Sequence, residues 1–184
     1  MNTTQPTENR GLWLRGAVEQ YEGALLRYTH QFTGDLETAR DVVQESFIKL
    51  CRQQPGKVGD PPGAWLYRVC RNRALDIYRG RVRRKEVSDE SLPEVISTEA
   101  GPEADAMARD RKKLVEELLQ ELSPQQREIV RLKFIEDLSY REIAEVTGLK
   151  TSNVGVHLHT ALKRLRQKMN DSDTPQAWKE TLQP

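Results

Sequence analysis

Behind a helix start at Gly34-Asp35, apolar residues fall on the period of a helix. Ala39, Val42, Val43, Ser46, Phe47, Leu50 and Cys51 recur at i, i+3, i+4, i+7, i+8, i+11 and i+12, which predicts one buried stripe. The opposite face holds Asp41, Gln44 and Glu45, with the aliphatic Ile48 in its middle. An acidic, amide-rich face centred on a branched aliphatic suits docking to a basic partner helix. Single exposed apolar residues are also common on ordinary amphipathic helices, so both readings stand at this point.

The helical pattern extends from about Leu12 to Lys85, with breaks at Thr33-Gly34-Asp35 and at Gln54 to Gly63. The second break, Q-P-G-K-V-G-D-P-P-G, holds three prolines and three glycines and reads as a loop. After it, Gly63 to Arg79 turns Leu66, Val69, Cys70, Ala74 and Ile77 inward and aligns Trp65, Arg68, Asn72, Leu75 and Arg79 on the opposite face. Tyr67, Arg71 and Tyr78 fall on another flank. Indole, guanidinium and amide along one face fit single-stranded DNA: rings stack on bases, cations hold the backbone and an amide reads a base edge. The competing reading is that Trp65 and Tyr67 complete the core while the arginines are solvated.

A second helical stretch runs from about Ala106 to Met169, and its helix starts are explicit. Ser123-Pro124-Gln125-Gln126 and Ser139-Tyr140-Arg141-Glu142 each place Ser as N-cap with Gln or Glu three residues on, the capping box. Leu138 and Ile143 stand where a hydrophobic staple would place them, and Gly148 suits a left-handed helix end. A further helix follows from about Thr151, burying Val154, Leu158, Ala161, Leu162 and Leu165. Short capped helix, glycine turn and longer helix make a helix-turn-helix. The outer face of the last helix carries Asn153, Val156, Thr160 and Lys163, with Ser152 and His159 at one flank and Arg164 at the other. No acid occurs between Thr151 and Asn170. Small polar groups at the N-terminal end suit base edges, and the cations Lys163, Arg164, Arg166 and Lys168 suit phosphates. A plain three-helix domain whose cationic end complements the helix dipole is the alternative.

No β pattern appears, so the expected architecture is all-α: two small helical domains at 12–85 and 106–169, joined by a flexible acidic linker at 86–105 and followed by a polar tail at 170–184. At 184 residues the chain has room for two such domains. A net charge of +1 argues at first against nucleic acid, but the charge is segregated. Arg68 to Lys85 carries eight cations against Asp76, whereas Glu86 to Asp105 carries seven acids and no Lys or Arg. The two cysteines, Cys51 and Cys70, fit no metal spacing, and without a signal-peptide pattern they are expected to be buried free thiols in a reducing cytoplasm. His157 and His159 diverge on a helix and lack a completing acid or Cys, so no metal or other cofactor is expected. No apolar run is long enough for a membrane span. No carboxylate pair with His, phosphate-binding glycine loop or Ser-His constellation indicates a catalytic residue, so an enzyme is disfavoured.

With these residues in view, the chain resembles the sigma-70 family of bacterial RNA polymerase sigma factors, in its extracytoplasmic-function (group IV) branch. The resemblance spans about Tyr21 to Arg166 and rests on three motifs in order. D-V-V-Q-E-S-F-I-K-L resembles the segment that docks on the β′ clamp helices, which implies Asp41, Gln44, Glu45 and Ile48 as polymerase contacts. A-W-L-Y-R-V-C-R-N-R-A-L-D-I-Y-R resembles the segment that melts and reads the −10 element, implying Trp65, Arg68, Asn72 and Arg79. L-S-P-Q-Q-R-E-I-V-R-L-K-F-I-E-D-L-S-Y-R-E-I-A-E-V-T-G-L resembles the start of the −35-binding domain, implying Ser152, Asn153, Val156, His159, Thr160 and Lys163. The implied partners are core RNA polymerase, through its β′ and β subunits, promoter DNA and an anti-sigma factor, with a cytoplasmic location. The acidic linker would thread near the polymerase active site as an RNA mimic, and Pro55 to Pro62 would cradle an extruded promoter base.

The departures are specific. Where the family often has a Gly-Thr-Val entry and then basic, Ser and basic residues, this chain reads Ser152-Asn153-Val154 and Gly155-Val156-His157, and a further commonly basic position is Thr160. Fewer phosphate clamps imply weaker autonomous DNA binding, or a −35 readout leaning on Asn153, Val156, His159 and Thr160. A stand-alone helix-turn-helix regulator of duplex operators is the rival class, but it needs neither the docking helix nor the single-strand-type helix.

Overall fold

The computed structural model describes residues 5–84, 115 and 118–171. The expected linker, 86–105, lies outside these residues, as do 106–114 and the tail from 172 on. The chain divides into two compact units.

In the first unit, α1 (Gln5–Thr33), α2 (Leu36–Cys51) and α4 (Gly63–Arg83) pack pairwise on one another, with a one-turn helix α3 (Pro55–Val58) between α2 and α4. The α1–α2 corner is built from local chemistry. Gly34 takes φ 66° and donates its N–H to the His30 carbonyl at 2.9 Å, ending α1. Asp35 then caps α2, its carboxylate accepting the Thr38 N–H at 2.7 Å. The hydrogen bonds from Thr38 hold the Asp35 carboxyl below its ordinary pKa. From the last turn of α4, the Arg81 guanidinium donates to the Thr33 carbonyl and, at 3.2 Å, to the Thr38 hydroxyl, fastening that corner from 43 or more residues away.

The core of this unit is partly aromatic. Tyr28 meets Phe32 and Tyr67 edge-on, with ring centroids 5.2 and 5.1 Å apart. Leu25, Leu50, Leu66, Cys70 and Ala74 are fully buried around it. Burial pushes the Cys70 thiol up in pKa, and its Sγ lies 3.2 Å from Ser46 Oγ. Gly63 stands where α4 meets α1: a Cβ there would come within 2.9 Å of the Tyr21 ring.

Several expectations change here. Tyr67 and Tyr78 are buried core residues rather than a flank, while Val69 and Ile77 are half-buried. α4 packs against two helices at once, so its buried face is broader than one stripe and is shared by Gly63, Leu66, Tyr67, Cys70, Ala74 and Tyr78. Cys51 is exposed and Phe47 half-buried, because α2 ends at Cys51 and its covered stripe stops at Leu50. The Pro/Gly loop contains α3, whose Pro55 occupies the first turn, where a missing N–H costs nothing, and whose Val58 is buried. α1 also begins at Gln5, ahead of Leu12.

The second unit carries helical residues 118–120, α5 (Pro124–Phe134), most of α6 (Tyr140–Thr147) and α7 (Thr151–Asp171). Both capping boxes are closed. Ser123 and Gln126 exchange bonds at 3.1 and 3.3 Å, and Ser139 and Glu142 do so at 2.8 and 3.3 Å. Leu138 and Ile143 are buried, and Gly148 ends α6 at φ 74°. α7 buries Val154, Leu158, Ala161, Leu165 and Met169; Leu162 lies at the margin, half-buried.

Candidate nucleic-acid and partner interfaces

Three helix faces carry the residues that the sequence singles out. On α2, Asp41 and Gln44 are exposed, and Ile48 keeps 49% of its surface open among them. Glu45 is differently placed. Its carboxylate accepts the Arg73 Nε–H of α4 at 3.0 Å, with both side chains a little under half exposed. At that exposure the pair contributes little stability, about 0–1 kcal/mol. It does tie α2 to α4.

On α4, Arg68, Asn72 and Arg79 are exposed and Trp65 is half-buried. The competing reading of the aromatics therefore divides: Tyr67 belongs to the core, whereas Trp65 is only half-buried. Arg79 pairs with Asp76 one turn earlier at 3.4 Å, with about two-thirds of each side chain exposed, which leaves the guanidinium open to a stronger anion.

Arg10 was given no role by the sequence. Its guanidinium donates to the carbonyls of Cys51 and Gln53, the latter at 3.0 Å, so α1 holds the C-terminal end of α2 and the entry to α3. Its partners are backbone atoms 41 and 43 residues away, which leave no mark in a sequence pattern.

On α7, Ser152, Asn153, Val156, His159 and Lys163 are exposed and Thr160 is half-buried. The cations beyond them are not equivalent. Arg164 reaches Gln126 Oε1 of α5 at 3.4 Å, and Lys168 pairs with Glu121 at 2.7 Å. Both help hold α7 to the rest of its unit, whereas Lys163 lies open on the face of Asn153. Among the described residues, no group of three or more His, Cys, Asp or Glu side chains could hold a metal ion, and no helix is long and apolar enough to cross a membrane.

An acidic-aliphatic stripe and a basic-aromatic one in the first unit, with a helix-turn-helix in the second, suit the class of DNA-binding factors that also dock on a protein. Comparison with known proteins places it. "Sigma-70 region 2" matches residues 17–84 and "Sigma-70, region 4" matches residues 112–165. The ECF RNA polymerase sigma factor SigD of Mycobacterium tuberculosis is 33% identical over 162 residues, covering 85% of this chain and 76% of that one. SigL of the same organism is 31% identical over 163 residues, covering 86% and 89%. The sigma factor YlaC of Bacillus subtilis is 30% identical over 157 residues, covering 83% and 90%. The sigma factor RpoE of Bartonella quintana, solved in complex with the anti-sigma factor NepR, shares the fold with a TM-score of 0.61 at 22% identity, covering 91% of this chain and 97% of that one. The chain belongs to the sigma-70 family, in its ECF branch. It is a promoter-recognising transcription initiation factor, of a family that binds core RNA polymerase and promoter DNA and is non-enzymatic.

Proposed function

We propose that the exposed stripe of α2 docks this protein on the β′ clamp helices of core polymerase. Asp41 and Gln44 then supply polar contacts, Ile48 a central apolar one, and Glu45 acts from its bridge to Arg73. Trp65, Arg68, Asn72 and Arg79 of α4 engage the melted −10 element. Ser152, Asn153, Val156, His159, Thr160 and Lys163 of α7 engage the −35 element in the major groove. Residues 12–85 and 106–169 serve as the two working domains. The protein carries out no catalysis itself, works in the cytoplasm, and is held in reserve by an anti-sigma factor. That regulator is suggested by the NepR complex of the structural relative.

The observation carrying this reading is the presence, on two helices tied together by Glu45 and Arg73, of an aliphatic-centred acidic stripe on α2 and a cationic, indole-bearing stripe on α4. A stand-alone operator-binding regulator has no use for either. Run-off transcription and gel shift on the protein's own upstream region separate the two. The initiation factor retards the duplex tightly only with core polymerase present and yields a transcript of defined start. Tight retardation by the protein alone, with no polymerase-dependent start, would reverse the assignment.

A further inference from the structure

Val156 is anomalous on the outer face of α7. It is 64% exposed, although one turn before it stand Ser152 and Asn153 and one turn after it His159 and Thr160, all polar. Packing does not account for it, since Val154 and Leu158 on the other side supply the core. Helix propensity does not either: a β-branched residue in the exposed part of a helix is less favourable than Ala or a straight-chain residue. Its neighbour Thr160 is also altered by the fold. The Thr160 hydroxyl donates to the Val156 carbonyl at 2.9 Å, so its hydrogen is spent on the backbone. A methyl group and an acceptor lone pair remain to offer a ligand. The middle of this polar face is therefore an aliphatic spot one turn beyond Asn153.

In the major groove of B-DNA the base edges present hydrogen-bond donors and acceptors, and one apolar group, the 5-methyl of thymine. Asn153 and Val156 are about 4.5 Å apart along the helix axis. Base pairs stack about 3.4 Å apart, so the two side chains address neighbouring pairs. Resting on the reading of α7 as the −35 helix, we propose that Val156 reads the 5-methyl group of a thymine in the −35 element, next to the pair that Asn153 contacts. The contact is apolar and desolvating, and it adds T-specificity where the family often places a small polar residue.

The test uses reconstituted holoenzyme and the promoters it selects from a library randomised across the −35 region. Each thymine of the selected −35, on either strand, is replaced singly by deoxyuridine, which removes the methyl and keeps the hydrogen-bonding edge. With the unsubstituted protein, one such replacement should weaken promoter binding about fourfold, equivalent to about 0.8 kcal/mol for one buried methyl. With Val156→Ala, which removes no buried contact, thymine and deoxyuridine should bind alike. Deoxyuridine tolerated at every position, a penalty undiminished in Val156→Ala, or a selected −35 without thymine on either strand would each overturn the proposal. If the library shows no −35 preference at all, it is the reading of α7 that fails, and the methyl contact with it.

Discussion

α4 and α7 are both 21 residues long and both proposed to face promoter DNA, yet they are built differently. α4 carries guanidinium groups from Arg68 to Arg83 and buries two tyrosines behind them. α7 carries no Lys, Arg, Asp or Glu from Thr151 to Leu162 and meets its first Lys or Arg at Lys163. The contrast matches two tasks. A melted strand has no fixed groove, so affinity must come from cations and stacking along the whole face. A duplex presents an ordered pattern of base edges, which amide, hydroxyl and apolar side chains can read at one end of a helix while cations at the other end meet phosphates. The C-terminal cations of α7 divide further, since Arg164 and Lys168 are occupied within the unit.

The largest effect should come from a substitution that silences both helices at once. Ile48→Glu puts a carboxylate at the centre of the docking stripe, where it would lose hydration against the partner, and should abolish core binding, by roughly 2 kcal/mol or more. The fold should survive, because the side chain is half exposed. Normal core binding, or a collapsed thermal transition, would contradict the role given to that face.

Next in size is a defect confined to α4. Asn72→Ala should slow opening of the −10 region more than closed-complex formation, since Asn72 is the exposed amide on a face of arginines and indole. Permanganate footprinting should show the defect on duplex templates and its relief on a pre-melted one. A defect that persists on the pre-melted template after the −10 sequence is altered would point to a structural role.

Within α7, Asn153→Ala should relax preference at particular −35 positions, costing roughly 1–3 kcal/mol on the best site and little on poor ones. Lys163→Ala should weaken all promoters alike and lower the salt slope by about one unit. Promoter-library transcription at two salt concentrations separates them; the reverse pattern would invert the docking orientation.

Gly155→Ala should stabilise the second unit by about 0.5–1 kcal/mol, because a Cβ there meets only the Tyr140 ring at an ordinary 3.7 Å. A lowered denaturation midpoint would mean that α7 needs the glycine for its backbone path. The smallest effect concerns pH. Hydrogen bonding lowers the Asp35 carboxyl's pKa in the folded state, so its stabilisation is full above the unfolded carboxylate pKa and is lost as pH falls through the folded value. Asp35→Asn should flatten that acid limb of the stability curve, as read by thermal melts across the carboxylate range.

What the sequence determined by itself is whatever is settled within a few residues. The Asp35 cap, the Ser123 and Ser139 boxes and the left-handed Gly148 are all present, because each partner lies within one turn. The outward face of α7 was legible for the same reason: it packs one apolar stripe, and the remaining positions follow from the helix period. The burial of Tyr78, and the choice between Trp65 and Tyr67 as the core ring, were not legible, since they depend on α4 meeting two helices rather than one. Nor were the attachments of Arg10 to the end of α2, Arg81 to the α1–α2 corner, Arg73 to Glu45 or Arg164 to Gln126. Those pairings join residues 28 to 48 positions apart, and a long cation can reach many acceptors equally well in sequence. Only the packed helices bring one acceptor within its reach, and that choice belongs to the tertiary structure.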